Sequence, residues 1–274
     1  MAKNTLKIEK KPLSFASILK KCRGLCCIYR TAEKTYKRQG GILMTAPKAV
    51  TFDCFGTLID WEGEIQKVFK SILLKNGINN ADVVALQRHW ENIQFEYIQE
   101  KYRPYKEVLR NTLPMAFRDY GYPFSTEDVI NFSESMGSWK PFPDTVEALK
   151  ELKKYTKIAL ITNTDDAIID ETVKHLGVEF DAIVTAEQAG AYKPNHDGFH
   201  LALEKLGLDK SEILHAGFGF KYDVIPASEL GIKSCWINRY GEVRPANVKE
   251  TYLVGDMATF ALLVKGLVHS YANV

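Results

Sequence analysis

The sequence predicts an α/β protein whose parallel sheet carries helices on both faces, with a helical insert after the first strand. Three observations predict it. Short apolar runs alternate with amphipathic stretches over most of the chain, the pattern of a sheet buried on both sides. A stretch over 63–142 reads almost entirely as helix and interrupts that alternation once. Composition agrees, since the 274 residues are 46% hydrophobic and 26% charged, a balance that supports a sizeable core. At about 150 residues per domain, one or two domains are expected.

The first 43 residues hold eleven Lys and Arg against two acids. This basic extension lacks a long apolar stretch and is expected to be poorly ordered, because little apolar surface offsets its ordering entropy. A transit-type segment is the next reading and a nucleic-acid arm the last, since no aromatic interleaving or binding motif accompanies the charge. No nucleic-acid partner is therefore expected. Met44 begins MTAPKAVTFD, which reads as the start of the folded body.

Ala49–Phe52 is the first buried-strand run and ends at Asp53. In the insert, Ile65, Val68, Phe69, Ile72 and Leu73 recur at helical spacing, as do Leu86, Trp90, Ile93 and Tyr97. Pro114 is expected to kink or divide the third helix, and Ser125 or Thr126 to cap the fourth. The apolar face around Trp90, Phe95 and Tyr97 serves either the insert's own core or a homodimer. Pro141-Phe142-Pro143 closes the insert. A cap over 63–142 on a core of 44–62 and 143–274 follows. Later strand runs are Ile158–Thr162, Ala182–Thr185, Ile213–Gly217 and Ser234–Ile237. Helices over 145–155 (after Asp144), 166–176 (to Gly177) and 196–206 (to Gly207) separate them. This is a Rossmann-like core with a helical cap at the edge where such sheets bind ligands.

No run of ~18 apolar residues is present, so a spanning helix is ruled out and no membrane partner is expected. Five cysteines without a CxxC pair argue for a reducing, cytoplasmic setting without structural zinc.

Polar groups stand at four strand ends or the loops after them. They are Asp53 and Thr57 in DCFGT, Thr162 and Asn163 in ITNTD, Lys193 in AYKP, and Asp223 in GFGFKYD. Singly, each has a plainer reading as a turn, loop or helix-capping residue. Together, in this order, they resemble the four motifs of the haloacid dehalogenase-like hydrolase superfamily over roughly 48–265, with the closest look to the type II L-2-haloacid dehalogenases. The resemblance implies that Asp53 is a nucleophile, that Lys193 keeps it ionised, and that Asp223 orients Lys193 or helps place water. Thr57 would hold the Asp53 rotamer. Thr162 and Asn163 would donate to an anionic small-molecule substrate, with Cys54 and Phe55 contributing beside them.

One position separates reaction types. Superfamily phosphatases carry a second Asp two residues after the nucleophile, where it protonates the leaving alcohol. Phe55 stands there and is no general acid, whereas halide leaves unprotonated. The fourth motif has Phe218 in place of a carboxylate. No metal is expected; the alternative, a Mg²⁺-dependent phosphatase, would gather its ion at Asp53, Phe55 and Asp223. The pocket departs from the dehalogenase pattern as well. Glu91 falls where those enzymes carry a halide-accepting arginine, so Arg88 is the substitute candidate, with Arg103 behind it. Gly217, Phe218 and Gly219 replace a Ser and an Asn. The expected activity is dehalogenation of short (S)-2-haloacids through an aspartyl ester. A non-catalytic binding protein on this scaffold is the remaining reading.

Overall fold

The computed structural model describes residues 46–245 and 250–271. The basic extension lies outside the described residues. Strand β1 (Ala49–Phe52) is followed by four helices before the second strand's own leading helix: α1 (Trp61–Lys75), α2 (Val83–Glu100), α3 (Tyr105–Asp119) and α4 (Thr126–Ser135). Then come α5 (Thr145–Leu152), β2 (Lys157–Thr162), α6 (Asp166–Leu176), β3 (Ala182–Thr185), the single turn α7 (Ala186–Ala189) and α8 (Asp197–Leu206). The chain continues through β4 (Ile213–Gly217), a wide π-type turn over Phe220–Val224, α9 (Ile225–Leu230), β5 (Lys233–Ile237), β6 (Tyr252–Val254) and α10 (Met257–Tyr271).

All strand pairs are parallel and the order is β3-β2-β1-β4-β5-β6. The connection reverses direction at β1, so the crevice for a ligand lies beyond the carboxyl ends of β1, β2 and β4. Every β1 residue is buried, as a strand covered on both faces requires. On one face Ile161, Val184, Phe199, Leu206 and Ala227 form a continuous core. On the other, Phe52 meets Phe260 of α10 edge to face, with ring centres 5.6 Å apart.

The insert has its own aromatic core. Trp90 lies 5.7 Å from Trp61, 5.9 Å from Phe69 and 5.5 Å from Phe132, and its indole N–H donates to Thr112 Oγ1 at 3.0 Å. Ser125 and Asp128 form a reciprocal capping box at the start of α4. Pro114 neither ends nor divides α3, which runs on to Asp119. Val108, Leu109, Leu113, Ala116 and Phe117 are all buried, and packing of this face outweighs the lost backbone hydrogen bond. Asp144 precedes α5 as expected but does not cap it through its side chain. Its carboxylate instead accepts from Met257 N at 2.7 Å and Arg239 Nη1 at 3.2 Å. No helix among the described residues is long and apolar enough to cross a membrane.

Candidate active site

β1 delivers Asp53 into a tight turn. Gly56 adopts φ +94°, and a Cβ there would sit 2.8 Å from the Phe218 ring, so both the backbone and the close approach require glycine. The turn closes through Leu58 N to Cys54 O at 2.8 Å and Gly56 N to Ile59 O at 2.9 Å. Thr57 is thereby brought back over Asp53. Its hydroxyl donates to Asp53 Oδ2 at 2.7 Å and accepts from Phe218 N at 2.7 Å, which fixes the carboxylate and ties the first motif to the fourth.

Lys193, 3% exposed, donates from Nζ to Asp53 Oδ1 at 2.9 Å and to Asp223 Oδ1 at 2.6 Å. Asp223 Oδ1 also meets His215 Nε2 at 3.2 Å, and Oδ2 accepts from Gly219 N at 3.1 Å. Asp53, Lys193 and Asp223 thus form one buried charged group, with Thr162 at the edge of the same cavity.

The electrostatics follow from burial and pairing. Burial raises the Asp53 carboxyl above its ordinary value against the pull of Lys193, and the nearby Asp223 charge adds to the rise. Burial also works to raise Asp223, but Lys193 and the His215 hydrogen bond overcome it and hold this carboxyl low. Lys193 is held in its charged form because the two carboxylates outweigh its desolvation.

The cavity above Asp53 has a volume of about 330 Å³. Its lining includes Phe55 and Thr162 on the Asp53 side and Glu91 of α2 on the insert side. Burial raises Glu91 above its ordinary value, and Lys221, 3.9 Å away, works against that rise. Glu62 is pushed up to about 7, first by burial and then by the Glu91 and Glu242 charges.

Some expected contacts are redirected. Asn163 borders the cavity, but its Oδ1 accepts from Lys193 N at 2.7 Å and its Nδ2 donates to Lys193 O at 3.1 Å. Its amide braces the Lys193 loop. Cys54 is fully buried and its thiol lies outside the cavity lining, because alternate residues of the turn face opposite sides. Arg88 is exposed on α2 and does not line the cavity; Glu91, one turn on, takes that place. Arg103 is occupied by Tyr97 O and Glu100. His215 carries no motif in the sequence. Its link to Thr51 (Oγ1 to Nδ1, 2.9 Å) depends on the β1–β4 register that sets the two residues side by side.

Side-chain oxygens for a Mg²⁺ ion are few in this donor set. Mg²⁺ takes six oxygens in near-octahedral order. Phe55 brings no side-chain oxygen, and both oxygens of Asp53 and of Asp223 already accept hydrogen bonds from Lys193, Thr57, His215 or Gly219. Among the described residues, no group of three His, Cys, Asp or Glu could hold a metal.

A parallel sheet with a helical insert after β1 and an Asp–Lys–Asp group at its carboxyl edge defines a class of capped α/β hydrolases. The chain belongs to the haloacid dehalogenase-like hydrolases, whose family model matches residues 47–231. It is 27% identical over 204 residues to an (S)-2-haloacid dehalogenase of Pseudomonas sp. (strain YL), covering 72% of this chain and 84% of that one. It is 30% identical over 120 residues to a pyrimidine 5'-nucleotidase of Escherichia coli (strain K12), covering 43% of this chain and 53% of that one. The crystal structure of an L-2-haloacid dehalogenase matches the fold with TM-score 0.74 at 21% identity, over 81% of this chain and all of that one.

Proposed function

We propose that this hydrolase cleaves the carbon–halogen bond of a small (S)-2-halo carboxylic acid, without a metal, through an ester at Asp53. The observation that carries the reading is the Asp53–Lys193 pair beneath a cavity where Phe55 occupies the place of a general acid. The Asp53 carboxylate attacks the α-carbon, and the halide departs with the bonding electron pair and needs no proton. Water then attacks the Asp53 carboxyl carbon, releases the hydroxy acid and restores the carboxylate. Thr57 keeps the nucleophile in one rotamer, and Lys193 offsets the charge that develops during each step. Asp223 positions Lys193 or helps place the water. The dehalogenase relative supports this chemistry. The nucleotidase relative keeps phosphate release as the competing outcome, for which Mg²⁺ dependence is the marker.

The test is a halide- and phosphate-release screen with and without Mg²⁺, beside Asp53→Asn. Halide release that is independent of Mg²⁺ and abolished in Asp53→Asn is expected; Mg²⁺-dependent phosphate release would overturn the reading. A single turnover in ¹⁸O-water with enzyme in excess should leave the hydroxy product unlabelled and place the label in Asp53. Label appearing at once in the product would mean direct attack by water on the substrate carbon.

A further inference from the structure

The cavity over Asp53 is larger than a short halo acid needs. A 2-chloropropanoate has roughly six non-hydrogen atoms, whereas about 330 Å³ falls within the ~300–1,000 Å³ of pockets that enclose drug-sized ligands. The cavity's lining includes Phe55, Trp61, Tyr105, Met136, Phe218 and Tyr222, side chains that favour a flat or extended apolar group. The charges on the lining point the same way. Glu91 and Glu242 both border the cavity. Among the described lining residues, both lysines already answer carboxylates. Lys193 lies between Asp53 and Asp223. Lys221 lies 3.9 Å from Glu91 and 4.0 Å over the Phe95 ring. A substrate carboxylate already meets this lining without an unpaired lysine beside it, and a second would face Glu91 and Glu242 as well.

We propose that the substrate is a monoanion carrying a bulky apolar substituent, an aryl group or an alkyl chain of similar size, on the reacting carbon, and that dianionic acids are rejected by Glu91 and Glu242. This rests on the reading of Asp53 as the nucleophile toward a halo acid, so binding is measured apart from turnover. Calorimetric titration of the full chain with propanoate, 3-phenylpropanoate and succinate reads it directly. 3-Phenylpropanoate should bind about tenfold or more tightly than propanoate, the scale expected for burying an apolar ring, with succinate weakest. Glu91→Gln should narrow the gap between succinate and 3-phenylpropanoate by about fivefold, a loss of one like charge at close range. Propanoate binding as tightly as 3-phenylpropanoate, succinate binding as tightly as either, or no measurable binding of the three would overturn the proposal. An unmoved succinate gap in Glu91→Gln would overturn its electrostatic half. Halide release from 2-chloro-3-phenylpropanoate against 2-chloropropanoate then tests the chemistry separately. No halide from either, with the binding order intact, would overturn the dehalogenase reading and support the inferred pocket.

Discussion

Asp223 offers only acceptors when ionised, and three donors meet it: Lys193 Nζ and His215 Nε2 at Oδ1, and Gly219 N at Oδ2. His215 Nε2 faces Asp223 Oδ1 as a donor, and Nδ1 lies 2.9 Å from the Thr51 hydroxyl. His215 thus bridges Asp223 and Thr51. Its hydrogen bond helps hold the Asp223 carboxyl below the ordinary range against burial. His215→Phe keeps the ring contact with Phe199, whose centre is 4.9 Å away, but removes the donor. Asp223 then protonates at higher pH, Lys193 loses half its anchorage, and the steeper lower part of the acid limb of the pH–rate profile, where Asp223 protonates beneath Asp53, should move upward. Stability should also fall by about 1–3 kcal/mol, the usual cost of leaving buried polar groups unmatched. His215→Gln, whose amide can donate in place of Nε2, should return the acid limb toward its original position. An acid limb unmoved in His215→Phe would reduce His215 to a packing residue. The acid limb set by Asp53 itself should lie above the usual carboxylate range, because burial raises that carboxyl. Activity should rise as pH passes upward through it.

At the level of elements, α5 is joined to α10 by one carboxylate. Glu151 accepts from Lys154 and Tyr155 on its own side and from Lys265 Nζ of α10 at 2.9 Å. These hydrogen bonds lower its carboxyl from the ordinary 4.5 to about 2. Because the folded value is depressed, the stabilisation is fully present above 4.5 and is lost as pH falls toward 2. The urea midpoint of the native chain should drop between about pH 6 and about pH 3, and Glu151→Gln should flatten that drop. Equal slopes in both proteins would show that the contact is screened away by water. The elements differ in how far they could be read from the chain. β1, β3 and β4 are legible because continuous apolar runs mark strands covered on both faces. β6 is not. Tyr252, Leu253 and Val254 form three half-buried or exposed edge positions, too few to show a period. Asp53, Lys193 and Asp223 are legible as charges at strand ends or in the loops that follow. His215 is hidden because its partner Thr51 lies 164 residues away and only strand register brings them together. Arg88 and Glu91 are one turn apart on one helix, and sequence spacing alone does not say which of them faces the cavity.

For the molecule as a whole, the insert and the core are coupled by the same loops that hold the charged group. Pro104 precedes α3 and supplies no side-chain cap. The cap comes from the core, where Asp165, three residues after the end of β2, accepts from Tyr105 N at 2.5 Å and Lys106 N at 2.9 Å. A carboxylate there satisfies two free N–H groups at the positive end of the helix dipole. Tyr192, adjacent to Lys193, donates its hydroxyl to Arg103 O at 2.6 Å just before the same helix. The loop of Thr162 is thus fastened to the first turn of α3 and the loop of Lys193 to the residue just ahead of it, and Tyr105 in that turn lines the cavity. Asp165→Ala should therefore do more than remove a cap worth about 1 kcal/mol. It should loosen the seat of α3 over the cavity, so that amide exchange accelerates at Tyr105 and Lys106 while the aromatic core around Trp90 keeps its protection. Asp165→Asn retains an acceptor oxygen and should recover most of the protection at one of the two amides. Catalysis should decline in kcat with the Lys193 loop, because Asp53 and Lys193 would no longer be closed over by a fixed wall. If exchange instead rises uniformly through the insert, the insert depends on Asp165 for folding as a unit, and the first turn of α3 is not a local hinge between insert and core.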